Sequence, residues 1–255
     1  MATKESNTKI LERGNIYFCY TPKVERNEVE KLDDVQEFYF VLAPHNKQSY
    51  RLIVIGKKRL PEVEGDNNNH WCFVKQVSSD AREIEQGLRE ETYQTKTLGE
   101  RLQPAARPVG EGIYEIVNYR NRTNLIYALE LPDDLGDAQK ALGIKEEASY
   151  VITIKNPQQG SPEGMGLAEE AKADLPEKLQ NRFSKRRFVP AEPPEFLDYP
   201  GVELILIGAS ADVASELGIE LDPASETEDT AEILNDLRMR KSRHPIEPLF
   251  TGEWR

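Results

Sequence analysis

The chain has 255 residues, of which 38% are hydrophobic and 31% charged, and its formal net charge is −12. A chain of this length buries about 75% of its unfolded surface and needs no disulfide or metal staple. The acidic balance disfavours nonspecific adhesion to nucleic acid or to an anionic membrane.

In chain order, residues 1–12 read as a polar tail. Asn15 to Tyr20 reads as a short strand that stops at Thr21-Pro22. Gln36 to Ala43 and Tyr50 to Lys57 are β-branched or aromatic and form the clearest hairpin. In its second arm Leu52 and Val54 point one way and Ile53 and Ile55 the other, so both faces are expected to be covered. A turn-rich loop carrying Gly65-Asp66-Asn67-Asn68-Asn69 leads into a strand from His70 to Val77. Residues 80–92 read as a helix capped by Asp80, with Glu83 at the N3 position of a capping box. Residues 94–111 lack periodicity and read as a loop.

A second hairpin is expected from Gly112 to Tyr119 and Thr123 to Leu131, joined through Arg120-Asn121-Arg122. A short helix begins at Asp133-Asp134 and ends at Leu142-Gly143-Ile144, where Gly143 suits a left-handed stop. Ser149 to Lys155 is a strand. Residues 157–174 form a linker or loop. Asp174 opens a helix that runs to about residue 187, with Leu175, Leu179 and Phe183 as its apolar stripe. Glu203 to Gly208 is a strand, a short helix from Ser210 ends at Leu217-Gly218-Ile219, and a last helix runs from Asp229 to Arg240. The tail 246–255 follows Pro245 and is expected to be non-helical, because proline removes a donor and fixes φ. Its Leu249, Phe250 and Trp254 suit docking on the chain's own core or on a protein partner.

The fold class is therefore α+β. A mixed or largely antiparallel sheet occupies residues 13–156, with a few short helices. A smaller C-terminal strand–helix unit, 175–245, packs on it or lies beside it.

Much familiar chemistry is missing. The three histidines, His45, His70 and His244, lie far apart, and no Cys-x-x-Cys or His-x-x-x-His spacing marks a metal site. No nucleophile elbow, phosphate-binding Walker loop or dinucleotide fingerprint is present, so no cofactor is called for. Cys19 and Cys72 sit in apolar stretches and read as reduced core thiols. With no bilayer-length apolar run and no leader-like N-terminus, these features point to the cytoplasm.

Two basic leads remain. Lys178, Arg182, Lys185 and Arg186 recur at i, i+4, i+7 and i+8 and would share one helical face. Lys96, Arg101 and Arg107 lie among Gly99, Gly110 and Gly112, whose exposed amides suit an anion nest. Each lead has a plainer structural reading: a solvated helix face, and a loop packed on the sheet edge. His70 near Asp66 is the one hint of a general base. The sequence points to a non-catalytic binding or regulatory protein that engages an anionic partner (an acidic protein surface, a phosphorylated ligand or nucleic acid). The alternatives are an enzyme acting on a phosphorylated small molecule or nucleic acid, and a subunit of a larger assembly contacted through the tail.

Overall fold

The computed structural model describes residues 8–63, 69–95, 97, 99–162 and 164–255. Its strands are β1 (Thr8–Pro22), β2 (Val35–Pro44), β3 (Tyr50–Ile55), β4 (Asn69–Ser78), β5 (Glu91–Thr95), β6 (Gly99–Gln103), β7 (Arg107–Tyr119), β8 (Arg122–Leu131), β9 (Glu147–Lys155), β10 (Phe188–Pro190) and β11 (Glu203–Ser210). Nine of them form one sheet in the order β10-β9-β11-β4-β3-β2-β1-β7-β8, and β9 also pairs with β8. That extra pairing closes the sheet into an antiparallel barrel, with β10 continuing along the same edge of β9 beyond the end of β8. β5 and β6 form a separate hairpin. The α+β class with a largely antiparallel sheet is what the sequence implied. The strand expected in a C-terminal unit, β11, lies within the barrel between β4 and β9.

Alternation along each strand divides the side chains between two cores. Phe18, Tyr20, Phe38, Phe40, Ile53, Ile55, Tyr114, Tyr127, Tyr150, Ile152 and Leu206 fill the interior. Their neighbours Tyr17, Tyr39, Val41, Leu52 and Val54 point outward. They pack against Ile84 of α1 (Ala81–Gln86), Ile233 of α5 (Glu232–Asp236) and Leu249 of α6 (Glu247–Thr251). A strand with both faces buried shows no polar alternation, which is why the β2–β3 hairpin reads as a continuous apolar run. The outer face of β7 and β8 is covered by Val213 and Leu217 of α4 (Val213–Leu217). The β7–β8 register shifts between Glu111 and Gly112, and the backbones approach closely there. A Cβ at Gly112 would lie 2.1 Å from the Ala128 carbonyl oxygen, so only glycine fits there.

Several local expectations change in the structure. β1 begins at Thr8, so the last residues assigned to the polar tail are strand. Pairing with β7 supplies the backbone partners there, and the strand needs no apolar run. The loop 94–111 is largely the β5–β6 hairpin and the start of β7. That hairpin is mostly exposed, so it carries no hydrophobic period. Asp80 does cap α1, accepting from the Arg82 amide, but the helix ends at Gln86 and no capping box forms. Glu83 instead accepts from the Ser78 hydroxyl, which also takes the Asp80 N–H.

The helix expected from Asp174 is reduced to α3 (Glu177–Gln180) and a single tighter turn, Asn181–Phe183. The last helix is only the five residues of α5, ended before Arg238, whose φ of 54° breaks the repeat. The tail does contain a helix, α6, with Pro248 in its first turn, where the missing N–H costs nothing. It docks on its own barrel: Leu249 is fully buried, and Trp254 meets Tyr20 edge-on at 5.3 Å. The helix α2 (Asp137–Leu142) ends as expected at Gly143, with φ of 75°. The Gly65–Asn68 turn lies outside the described residues.

One end of the barrel interior is polar. Arg51 shares the inward phase of Ile53 and Ile55 and is wholly buried. Its Nη1 and Nη2 donate to the two Glu12 carboxylate oxygens at 2.5 and 2.9 Å, and its Nε donates to Asp198 at 2.8 Å. The Tyr114 hydroxyl also donates to Glu12, and Lys47 completes the chain by pairing with Asp198 at 2.6 Å. Burial works against the guanidinium's charge, but hydrogen bonding to Glu12 and the attraction of Glu12, Tyr114 and Asp198 together outweigh it, so its pKa is raised. On the outer wall Glu111 is also buried, but it accepts backbone N–H bonds from Glu232 and Ile233 instead of a cation. Burial pushes its carboxyl up from an ordinary 4.5 to about 7, against those two amides and with help from the nearby charges of Glu226 and Glu232.

Arg51→Met strands the Glu12 charge in the core and should cost about 3–5 kcal/mol in urea unfolding, because breaking a buried pair leaves an uncompensated ion. Lys47→Met, at the half-exposed end of the chain of contacts, should cost under about 1 kcal/mol. Equal losses would mean that the interior pair does not carry the difference. For Glu111, the raised folded pKa means that the native state holds the proton more tightly. Its contribution is full below pH 4.5 and is lost as pH rises to about 7. Glu111→Gln cannot ionise. The melting temperature of that variant minus that of the wild type should therefore climb across this window, and a pH-independent difference would contradict the assignment.

Candidate anion-binding site

Two cationic segments meet at the polar end of the barrel. The first is the tip of the β7–β8 hairpin. Arg120 and Asn121 adopt φ of 50° and 62°, the paired left-handed conformation of a two-residue hairpin turn whose twist matches its strands. Arg120, Asn121 and Arg122 are exposed, with the Arg120 guanidinium 4.8 Å from the centre of the Tyr119 ring.

The second is the turn from α3 into β10. Phe183 is buried and meets Phe196 edge-on at 5.5 Å, which pins the start of the turn. Ser184 and Lys185 then take φ of 45° and 71° and reverse the chain. The expected continuous basic face therefore does not exist. Lys178 and Arg182 keep their helical spacing, whereas Lys185 and Arg186 come from the turn. No glycine or proline in Phe183-Ser184-Lys185-Arg186 announces the stop. The turn is tied down by its own backbone: the Asn156 side chain donates to the Arg186 carbonyl at 3.2 Å, and that of Gln159 to the Lys185 carbonyl at 2.9 Å. Arg186 Nε and Nη2 donate to the carbonyls of Phe183 and Arg182 at 3.3 and 3.1 Å.

Between the segments lies a cleft of about 300 Å³ lined by Asn118, Asn121, Arg182, Arg186, Pro190 and Glu192. The Asn118 amide holds one Glu192 oxygen at 2.5 Å. Arg182 also lines a neighbouring cleft of about 460 Å³, with Lys9, Lys47, Glu192, Pro193 and Glu195, whose floor reaches Glu12 of the buried network. Among the described residues, Lys9, Arg120, Arg122, Lys178, Arg182, Lys185 and Arg186 form no ion pair.

The loop lead falls elsewhere. Thr8 pairs with Tyr119 at one end of β1, and Tyr20 with Arg107 at the other. Twelve residues of strand separate the two ends by about 40 Å. Arg101 pairs with Glu25 at 2.9 Å, beyond that far end. Arg107 is 3% exposed and donates to the Asn27 carbonyl at 2.6 Å. Gly110 and Gly112 belong to the β7 ladder, so their backbone does not form the expected nest. Lys96 lies outside the described residues. The structure thus brings Arg182 and Arg186 to the cleft beside the hairpin tip, places Lys178 and Lys185 on the same segment without a shown contact to the tip, and leaves Arg101 and Arg107 at the other end.

Sequence reasoning missed the supporting residues. Lys9 and Glu12 fell in the supposed tail, and Asn118 and Asn121 in a hairpin read only for its strands. Arg51 carried a usable signal: an arginine in phase with Ile53 and Ile55 points into whatever those residues fill.

The histidines are accounted for locally. His70 is buried, its Nδ1 lies 2.6 Å from the Arg59 carbonyl, and burial lowers its pKa. Its suggested partner Asp66 lies outside the described residues. His45 Nε2 is 2.7 Å from the Asn15 side-chain oxygen, and His244 Nδ1 is 2.8 Å from the Ala106 carbonyl. Among the described residues no three His, Cys, Asp or Glu side chains are grouped to hold a metal ion, and no helix is long and apolar enough to cross a membrane. Comparison with models of known families, with characterised proteins and with solved structures finds no match in any of the three.

Proposed function

We propose that this protein is a non-catalytic binding or regulatory protein that engages an anionic partner at the end of its barrel where the hairpin tip and the α3–β10 turn meet. The observation that carries this reading is that Lys9, Arg182 and Arg186 line the two clefts there and, like the exposed Arg120 and Arg122 of the hairpin tip, form no ion pair among the described residues, in a chain whose net charge is −12. Glu192 and Glu195 line the same clefts without pairing with these cations, so the guanidiniums on the tied-down turn remain available to an outside anion. The carboxylates beneath them, Glu12 and Asp198, are engaged with Arg51 and Lys47, which favours binding over proton transfer at this end.

Heparin chromatography tests the reading. The wild type should be retained at low salt and elute steeply as salt rises, since neutralised charges release counterions. Arg182→Glu with Arg186→Glu should abolish retention. Arg101→Glu, at the far end, and Arg240→Glu should leave it nearly unchanged. Passage of the wild type straight through at low salt, or equal losses in all the variants, would remove the reading.

A further inference from the structure

The cleft between the hairpin and the turn has a more specific geometry than a basic surface. A guanidinium offers five N–H donors. Arg186 spends two of them on the carbonyls of Phe183 and Arg182, which fixes its plane and leaves three free. Arg182 engages none of its five within the described residues, and the Asn121 amide is likewise unengaged. All three residues line the same 300 Å³ cleft. Two guanidinium planes and an amide around one small space match an anion with several acceptor oxygens, and arginine suits this better than lysine because its fork pairs two oxygens at once.

The remaining wall selects what carries that anion. Glu192 lines this smaller cleft too and repels an anion set against it, so the anion belongs on the side of Arg182, Arg186 and Asn121. However, Asn118 occupies only one of its oxygens and leaves the other as an acceptor. Glu192 and Arg182 both continue into the adjoining 460 Å³ cleft, whose other walls include Lys9, Lys47 and Pro193. A ligand with its anion in the smaller cleft would therefore extend a hydrogen-bond donor past Glu192 into the larger one.

We propose that the paired clefts bind a phosphate monoester of a hydroxyl-bearing small molecule, of the size of a sugar phosphate. The phosphate sits among Arg182, Arg186 and Asn121, and a carrier hydroxyl donates to Glu192. This inference rests on the anion-binding reading above and narrows it to one ligand class.

Calorimetric titration at 0.15 M salt with glucose 6-phosphate, inorganic phosphate and glucose tests it, with heparin retention measured alongside. Glucose 6-phosphate should bind more tightly than inorganic phosphate, and glucose should give no heat. Arg182→Gln should weaken both phosphate ligands by tenfold or more. Asn121→Gly, which keeps the left-handed turn and removes only the amide, should weaken both severalfold. Glu192→Gln should narrow the gap between the ester and inorganic phosphate. Affinity should fall as the solution is acidified through the second phosphate ionisation, near pH 6. If neither phosphate ligand binds at millimolar concentration while heparin is still retained, the phosphate cleft is wrong and the polyanion surface stands. If both fail, the anion-binding reading falls with it. Binding that survives Arg182→Gln unchanged would place any phosphate elsewhere and overturn the proposal.

Discussion

The buried contact between Arg51 and Glu12 is the constraint on which the working end of this molecule depends. A lone guanidinium inside a barrel would be ruinous, and a lone carboxylate no better, since each loses hydration worth several kcal/mol. Together they satisfy one another, and Tyr114 and Asp198 complete the set. The contact joins β1 to β3, brings in β7 through Tyr114, and through Asp198 fastens the turn that carries Pro193 and Glu195. The same residues thus close the barrel interior and hold one wall of the clefts above it. The cost of a polar plug is balanced by fixed geometry: four mutually paired charges and one phenol hydroxyl have few other arrangements.

The outer wall solves a similar problem differently. Glu111 has no cation, and its charge is met by the first amides of α5, among several other acids. Amides stabilise a carboxylate less than a bidentate arginine does. The inner carboxylate is held by a cation and a hydroxyl, whereas the outer one, pushed up to about 7 by burial, makes the attachment of the C-terminal segment sensitive to protons near neutrality. The two ends of the barrel are also unlike. Trp254 packs edge-on against Tyr20 at the far end, whereas the near end opens into clefts lined by charged side chains of both signs.

The parts of this architecture that were legible in the sequence are those in which local chemistry and final structure agree. The β2–β3 hairpin shows itself because both faces are apolar, and α2 ends where Gly143 says it should. What was hidden is set by contacts between distant segments. Nothing in Thr8 to Arg13 announces a strand, because its partner is a segment of β7 about a hundred residues on. The basic residues of 178–187 keep a helical period in the sequence that the backbone abandons at Ser184, where the anchoring of Phe183 against Phe196 prevails over propensity. The convergence of that turn with the hairpin tip follows from barrel closure, which no local pattern encodes. Arg101 and Arg107 looked equivalent to Arg182 and Arg186 for the same reason: composition records the charge of a segment but not the end of the barrel it occupies.

The position of β11 also bears on how the chain reaches this state. β4 is finished early, yet its second neighbour comes from far downstream, as the contact between Trp71 and Glu203 across 132 positions shows. During synthesis from the N-terminus, β1 to β4 would emerge with β4 as an open, largely apolar edge, the kind of edge that recruits other strands. Closure must wait for β11, and loop closure over so long a span makes it slow. The nascent chain therefore passes through a period in which the half-built wall is exposed. The charged Lys57-Lys58-Arg59 run that follows β3 stands where it would discourage a stranger from pairing first.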